Sequence, residues 1–257
     1  MDLRLKDKVA LVTGGSRGIG RMTALRLADE GCDVAICARG EDGVAKAVEE
    51  LRAFGGRVHG AAADVTAPGE VERFVAESAA ALGGVDLLVA NVGGSAGGAL
   101  MESTHEDWVR TFDLNLFHAV RALRAAVPHM RARGGGSAVV VSSISGWKAG
   151  PRTQYGSAKA AEIFLSSGLA WELGKDRIRV NTVSPGSTLF PGGGWERTKT
   201  HEPERFAAFE QREFPWGRLG TVEEIADAVT FVLSPRAGWI NGANIPVDGA
   251  QGRPSAF

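Results

Sequence analysis

Residues 9–20 read Val9-Ala10-Leu11-Val12-Thr13-Gly14-Gly15-Ser16-Arg17-Gly18-Ile19-Gly20, an apolar run that leads through a glycine-rich turn into a helical pattern. The run predicts a buried strand, and the pattern of residues 18–30 predicts a helix. Glycines at such a turn let backbone N–H groups approach a pyrophosphate, which the helix N-terminus stabilises. The spacing is GxxxGxG and not the commoner GxGxxG. Taken alone, this turn suits a structural role, a methyltransferase or a flavoprotein as well as a nicotinamide nucleotide.

The same alternation of apolar runs and helix-length segments continues along the chain. Strands are predicted at 9–12, 34–37, 57–60, 85–89, 138–141, 178–183 and 243–247, and helices at 18–30, 41–54, 68–82, 106–131, 153–173 and 222–233. This rhythm predicts an α/β fold: one domain over residues 1–257, with a doubly wound (Rossmann) parallel sheet of about seven strands and helices on both faces. Residues 187–217, rich in glycine, proline and aromatic residues, are predicted to form a substrate lid.

Composition narrows the class of partner. The 257 residues are 44% hydrophobic and carry 29 basic against 30 acidic side chains, which favours a small-molecule partner and neither nucleic acid nor a membrane surface. A charged N-terminus without a long apolar run predicts a cytoplasmic protein.

Cys32 and Cys37 are predicted to face opposite ways on one strand, without a disulfide. The five histidines have no metal-ligand spacing, so no metal is expected.

Tyr155, the only tyrosine, stands four residues before Lys159. On a helix over 153–173 the two side chains share one face. An ammonium group beside a phenol favours the phenolate form, so this pair is a candidate for proton exchange near neutral pH. A half-buried core tyrosine with a solvated lysine is the other interpretation of so short a pattern.

The end of the second predicted strand bears on the choice between NAD and NADP. An acidic residue there would hold the ribose 2′-OH and repel a 2′-phosphate, but this chain reads Cys37-Ala38-Arg39. Arg39 and Arg17 are therefore predicted to bind a 2′-phosphate by charge-assisted hydrogen bonds. The alternative is two solvated surface arginines. The sequence favours NADP(H) as cofactor.

With TGxxxGxG followed by YxxxK, residues 5–249 resemble the short-chain dehydrogenase/reductase (SDR) family. Further stretches resemble family motifs: Ala63-Asp64-Val65, Asn91-Val92-Gly93-Gly94, Asp113-Leu114-Asn115-Leu116, Val141-Ser142-Ser143-Ile144-Ser145-Gly146 and Pro185-Gly186. Their joint order carries the resemblance, since each motif alone is short. The chain departs from the family at NVGG, where NNAG is usual, at Phe190, where a threonine is usual, and at Asp248-Gly249-Ala250, where Asp-Gly-Gly is usual.

The resemblance implies roles for individual residues. The implied catalytic residues are Asn115, Ser143, Tyr155 and Lys159. The implied cofactor-binding residues, with those of the glycine turn, are Gly14, Ser16, Arg17, Gly18, Ile19, Gly20, Arg39, Asp64, Val65, Asn91, Gly93, Tyr155, Lys159, Pro185, Gly186 and Thr188. The predicted substrate-binding residues are Ser143, Trp147, Tyr155, Phe190 and Trp195. Ser142 is the alternative catalytic serine, because it restores the usual spacing to the tyrosine, whereas the SxxG pattern favours Ser143.

These roles imply an NADP(H)-dependent oxidoreductase that interconverts a carbonyl and a secondary alcohol, either a ketone or a 3-oxoacyl thioester reductase. One alternative is a non-catalytic NADP-binding sensor or scaffold of the same fold. Another, a sugar-nucleotide epimerase or dehydratase, needs a larger C-terminal domain. By resemblance, helices 106–131 and 153–173 would form the interface of a homotetramer through Phe117, Val120, Leu123, Phe164, Leu165 and Leu169.

Overall fold

The structure, a computed structural model, describes residues 1–252; residues 253–257, which the single-domain prediction includes, lie outside the described residues. Within residues 1–252, seven strands form one parallel sheet in the order β3-β2-β1-β4-β5-β6-β7. The strands are β1 Val9–Thr13, β2 Asp33–Ala38, β3 Val58–Ala62, β4 Leu87–Ala90, β5 Gly136–Val141, β6 Ile178–Pro185 and β7 Asn244–Val247. The predicted doubly wound fold is confirmed.

Helices cover both faces of this sheet and enclose one apolar core on each. They are α1 Gly18–Asp29, α2 Glu41–Arg52, α3 Glu70–Leu82, α4 His105–Phe112, α5 His118–Ala132, α6 Thr153–Glu172, α7 Gly194–His201, α8 Pro203–Glu213 and α9 Val222–Leu233. Side chains alternate across β1: Leu11 packs with the core under α3 and α5, whereas Ala10 and Val12 pack under α1, α2 and α9. This alternation explains why a strand buried on both faces reads as an unbroken apolar run.

The helix predicted over 106–131 is divided in the structure. A π-helical segment, Asp113–Phe117, separates α4 from α5 and contains Asn115. The amide Nδ2 of Asn115 donates to the carbonyl of Thr111, which the backbone N–H four residues later would bond in a regular α-helix. Side-chain competition of this kind is invisible to a pattern of apolar spacing.

The predicted lid region, residues 187–217, is more ordered than its composition suggests. It contains α7 and α8, which pack around a small core of Phe206, Phe214 and Leu219. Pro203 stands at the first position of α8, where its missing N–H has no helical partner to lose. The aromatic residues thus fold the segment onto itself as well as facing the cleft.

The two cysteines lie in the cores on opposite faces of the sheet. Cys37 belongs to the core under α3 and α5, and Cys32 to the core under α1, α2 and α9, and both are free thiols. Burial raises the pKa of each thiol to about 12. The two side chains therefore face opposite sides of the sheet, and a thiol of this kind is unreactive near neutral pH.

Strand order reverses between β1 and β4, the two strands that begin the two halves of the sheet. In parallel α/β sheets the loops at the carboxyl ends of the strands diverge at such a point and leave a crevice. The glycine-rich turn after β1 and the loop after β4 meet there. Among residues 1–252, no helix is both long and apolar enough to cross a membrane.

Candidate active site

A cleft of about 2230 Å³ opens at the carboxyl ends of the strands. This exceeds the roughly 300–1,000 Å³ of a site for one small ligand, so it has room for a cofactor and a substrate together. Every predicted site residue lines it except Gly20 and Asn115. Gly20 lies under the turn, where an added Cβ would clash with the carbonyl oxygen of Gly14. Asn115 is fully buried behind the cleft.

The glycine-rich turn has the geometry of an anion-binding loop. Gly14 and Gly18 have φ angles of +70° and +56°, in the left-handed region that favours glycine. Asn91 holds the turn from the loop after β4, since its Nδ2 donates to the carbonyl of Thr13 at 3.1 Å. The first turn of α1 has no acidic residue, and its N-cap, Arg17, makes no side-chain capping bond. The N–H groups at this helix end therefore remain available to a phosphate.

Two arginines flank the outer end of the cleft. Arg17 and Arg39 are exposed, line the cleft, and form no ion pair with a carboxylate among residues 1–252. Asp64 stands nearby: hydrogen bonds from Thr66 hold the pKa of its carboxyl below the ordinary value, and the charge of Arg39 adds to this effect. This end of the cleft thus has cationic groups for a phosphate and a fixed carboxylate beside them.

Tyr155 and Lys159 meet at the inner end of the cleft, as their spacing on a helix predicts. The Nζ of Lys159 lies 5.7 Å from the centre of the Tyr155 ring and donates to the carbonyl of Val141 at 3.0 Å. A Cβ on Gly93 would stand 2.9 Å from Nζ, so the glycine makes room for the ammonium group. Lys159 is only 2% exposed, and its charge is held beside the phenol with little water to screen it.

The two candidate serines have different surroundings. Ser142 is buried, and its Oγ donates to the backbone carbonyl of Lys159 at 2.9 Å, which ties β5 to α6. Ser143 is half-buried, lines the cleft, and its Oγ accepts from the N–H of Ser145 at 3.1 Å. The hydroxyl proton of Ser143 therefore remains free to bond a ligand oxygen, whereas that of Ser142 is already used.

Asn115 is buried behind the cleft and bonds the loop after β4. Its Nδ2 donates to the carbonyl of Gly94 at 2.6 Å and its Oδ1 accepts from the N–H of Gly94 at 3.2 Å. Its own carbonyl is 2.7 Å from Nδ1 of the buried His118; because a carbonyl only accepts, Nδ1 carries the proton. Asn115 thus locks the loop after β4 against the π-helical segment.

The three aromatic residues among the predicted substrate-binding residues have different surroundings. Trp147 lines the cleft near Ser143. Phe190 packs on the glycine turn, because a Cβ on Gly18 would lie 2.9 Å from its ring. Trp195 stacks on Phe209 at a ring distance of 4.2 Å, so part of its surface is used within the segment of residues 187–217. Pro185 ends β6 and Gly186 follows it, and both line the cleft; the buried Thr188 donates from Oγ1 to the carbonyl of Gly186.

Sequence reasoning missed two buried polar residues next to these groups. His118 bonds the backbone carbonyl of Asn115 through Nδ1, and Glu162 pairs with Lys159. The signal for Glu162 was present, since it stands three residues after Lys159 and seven after Tyr155, on the same helix face. Because charged side chains are rarely buried, Glu162 was expected to be exposed.

The sequence model of the family described as "Enoyl-(Acyl carrier protein) reductase" matches residues 14–250. A curated relative from Oryctolagus cuniculus, "Dehydrogenase/reductase SDR family member 4", is 38% identical over 258 residues, covering 98% of this chain and 95% of the relative. The chain belongs to the short-chain dehydrogenase/reductase family. It is accordingly an oxidoreductase by family, and the resemblance inferred from its motifs is confirmed.

Solved structures of SDR proteins superpose over nearly the whole chain. L-sorbose reductase from Gluconobacter frateurii, complexed with NADPH and L-sorbose, has a TM-score of 0.92, 35% identity and complete coverage of both chains. A 7 alpha-hydroxysteroid dehydrogenase, complexed with NADH and 7-oxo glycochenodeoxycholic acid, has a TM-score of 0.91, 30% identity and coverage of 98% and 97%. These two SDR structures hold different nicotinamide cofactors and unrelated small-molecule substrates.

Proposed function

We propose that this SDR protein interconverts a carbonyl and a secondary alcohol with NADP(H), acting on a ketone or a 3-oxoacyl thioester. The observation that carries the proposal is the meeting of Tyr155, Lys159 and Ser143 in one cleft with the glycine-rich turn. A proton donor, a cation and a free hydroxyl beside an anion-binding turn form a set that a purely structural role does not require. A screen of ketones, 3-oxoacyl thioesters, quinones and sugars for NADPH consumption tests the proposal.

In the proposed reduction, Tyr155 gives its phenolic proton to the substrate oxygen as negative charge develops there. Ser143 donates a hydrogen bond to the same oxygen and stabilises that charge in the transition state. Lys159 favours the phenolate that remains on Tyr155, since a nearby cation stabilises the charged form. When bound, NADPH supplies the hydride. Asn115 is proposed to anchor a water that returns protons to the site.

The residues of the cleft fit NADP(H). The turn of Gly14 and Gly18 and the uncapped start of α1 would hold the pyrophosphate. Arg17 and Arg39 would hold the 2′-phosphate, because both line the outer end of the cleft and the end of β2 has no carboxylate to repel it. As the SDR motifs imply, Asp64 and Val65 would border the adenine. The nicotinamide half would lie against Asn91, Gly93 and Thr188.

Replacing Arg39 with alanine is expected to weaken NADPH binding by about 10–100-fold, since a hydrogen bond to a charged group is worth roughly 1.5–3 kcal/mol. NADH, which lacks the phosphate, should bind Arg39→Ala almost as it binds wild type. Titration of both cofactors measures the two affinities. The control is Arg52→Ala, which removes an exposed arginine that pairs with Glu49 on α2.

Adding Ala38→Asp to Arg39→Ala should make the protein prefer NADH. Ala38 lines the cleft at the end of β2, where a carboxylate would accept the ribose hydroxyls of NADH and repel the phosphate of NADPH. Equal affinity of wild type for NADH and NADPH, or equal weakening of both by Arg39→Ala, would contradict the phosphate site.

Two features of the cleft support substrates that combine an apolar part with polar or anionic groups. Trp147 and Phe190 present aromatic surface, which suits a ring or an alkyl chain. Arg152 and Arg197 also line the cleft, and among residues 1–252 neither forms an ion pair with a carboxylate; Arg152 donates to Ser95 Oγ at 2.7 Å. A 3-oxoacyl thioester has such a mixture of groups.

A homotetramer built on α5 and α6 is part of the proposal. Of the apolar residues predicted at this interface, Phe164 and Phe117 are 81% and 45% exposed, whereas Leu123 lies in the core and Leu165 and Leu169 pack against it. Light scattering of wild type should give the mass of a tetramer, and Phe164→Glu should give smaller species because it places a charge in an apolar contact. Phe54→Glu, on an exposed residue just after α2, is the control. A monomeric wild type would contradict the proposal.

A further inference from the structure

Lys159 has a buried carboxylate as its partner. Glu162 is 0% exposed and Lys159 is 2% exposed, although both lie on α6, whose opposite face is open to solvent. The Nζ of Lys159 is 3.1 Å from one carboxylate oxygen of Glu162 and 3.0 Å from the other. Removing either charge from water is costly unless the other compensates it, so the two groups depend on each other.

A further hydrogen bond holds the ammonium group in place. Nζ also donates to the backbone carbonyl of Val141 at the end of β5, at 3.0 Å. The ammonium group therefore has the carboxylate on one side and the Tyr155 ring on another, 5.7 Å from Nζ to the ring centre. A lysine side chain has several rotatable bonds, and a buried counter-ion selects one direction for it.

Few other charges act on this pair within residues 1–252. Burial raises the pKa of Glu162, and the charge of Lys159 opposes that rise. His118 approaches from the start of α5; burial first, and the charge of Lys159 second, lower its pKa to about 3, so it is neutral near pH 7. Arg121, which acts weakly on His118, pairs with Asp113 at 2.9 Å. Among the described residues, Glu162 is thus the carboxylate that pairs with Lys159, on the helix that also carries Tyr155.

We propose that Glu162 is a positioning residue of the active site, whose carboxylate keeps Lys159 protonated in its buried position and directs Nζ toward Tyr155. The inference rests on the proposed function, because it acts through the proton exchange assigned to Tyr155. Without the carboxylate, burial favours the neutral amine of Lys159, and the phenolate of Tyr155 loses its nearest cation.

Alcohol oxidation gives the clearest test, since Tyr155 must then accept a proton and the rate falls on the acid side. Glu162→Gln and Glu162→Leu both remove the charge, the first with and the second without polar atoms. In either variant, the acid limb of the profile of kcat/KM against pH should move to higher pH by about one unit, which lowers the rate along that limb about tenfold. Glu162→Asp retains a carboxylate and should leave the limb near its wild-type position.

Glu172→Gln, an exposed change near the end of the same helix, is the matched control and should leave the limb unmoved. An unmoved limb in a folded Glu162→Gln or Glu162→Leu protein, or a limb moved to lower pH, would overturn the inference. The second result would mean that Lys159 stays charged and acts more strongly on Tyr155 without its partner. Circular dichroism establishes that each variant is folded.

A double variant covers the case in which neither single change folds. Replacing a buried ion pair by apolar residues is often neutral or stabilising, so Lys159→Met/Glu162→Leu should fold. Because Glu162 is proposed to act only through Lys159, this variant should have the same residual rate as Lys159→Met, and a further loss would overturn the inference. Tyr155→Phe separates the two proposals. If Tyr155→Phe retains wild-type turnover, the proposed function fails. If Tyr155→Phe is inactive but the acid limb of the Glu162 variants does not move, only the role of Glu162 is refuted.

Discussion

Tyr155→Phe is expected to retain the fold and to bind NADPH as wild type does, yet to lose carbonyl reduction by about 10²–10⁴-fold, the usual contribution of a positioned proton donor. The change removes one hydroxyl from the lining of the cleft and little volume, so packing around the ring should persist. The loss should fall on kcat at saturating cofactor. Steady-state rates measured beside a cofactor titration separate chemistry from binding.

The reason for so large an effect is the isolation of the phenol. Tyr155 is the only tyrosine of the chain, and its ring lies 5.7 Å from the buried ammonium group of Lys159. A Tyr155→Phe protein that reduced substrate at the wild-type rate would remove this residue from the mechanism.

Ser143→Ala is expected to lower kcat by about 10²–10³-fold, as removal of a hydrogen-bond donor to a developing oxyanion does in other enzymes. Ser142→Ala is the matched comparison on the neighbouring residue. Its hydroxyl already donates to the carbonyl of Lys159, so its loss should lower stability more than it lowers the rate.

Rates at saturating NADPH and thermal unfolding of both serine variants measure the contrast. Equal and mild losses of rate would mean that neither serine polarises the carbonyl. A collapse of the rate in Ser142→Ala alone would reverse the assignment, and would favour the longer spacing to Tyr155.

The sheet was predictable because its strands are buried on both faces and therefore read as apolar runs between helical segments. The turn at Gly14 and Gly18 was predictable for a related reason, since positive φ angles select glycine there. The convergence of Tyr155 with Lys159 followed from helical spacing alone. In each case a local rule and the final structure agree.

The remaining features depend on tertiary packing. The side chain of Asn115 bonds the carbonyl of Thr111, which a backbone N–H would bond in a regular helix, and Asn115 lies in a π-helical segment. The spacing of apolar residues does not record such a bond. Helices α7 and α8 are surrounded in sequence by glycine and proline, whose local preference is for turns. Glu162 reads as a surface residue until α6 packs against β5, and only then does its carboxylate lie beside Lys159.

The proposed reaction transfers a hydride between NADPH and a carbonyl carbon. The most direct measurement uses NADPH that carries deuterium on the transferred position at C4, with a carbonyl compound that the screen shows to be consumed. We expect one deuterium on the carbon of the new secondary alcohol for each NADPH consumed, while the hydroxyl proton comes from solvent. An alcohol without deuterium on that carbon, or NADPH consumption without alcohol, would contradict it.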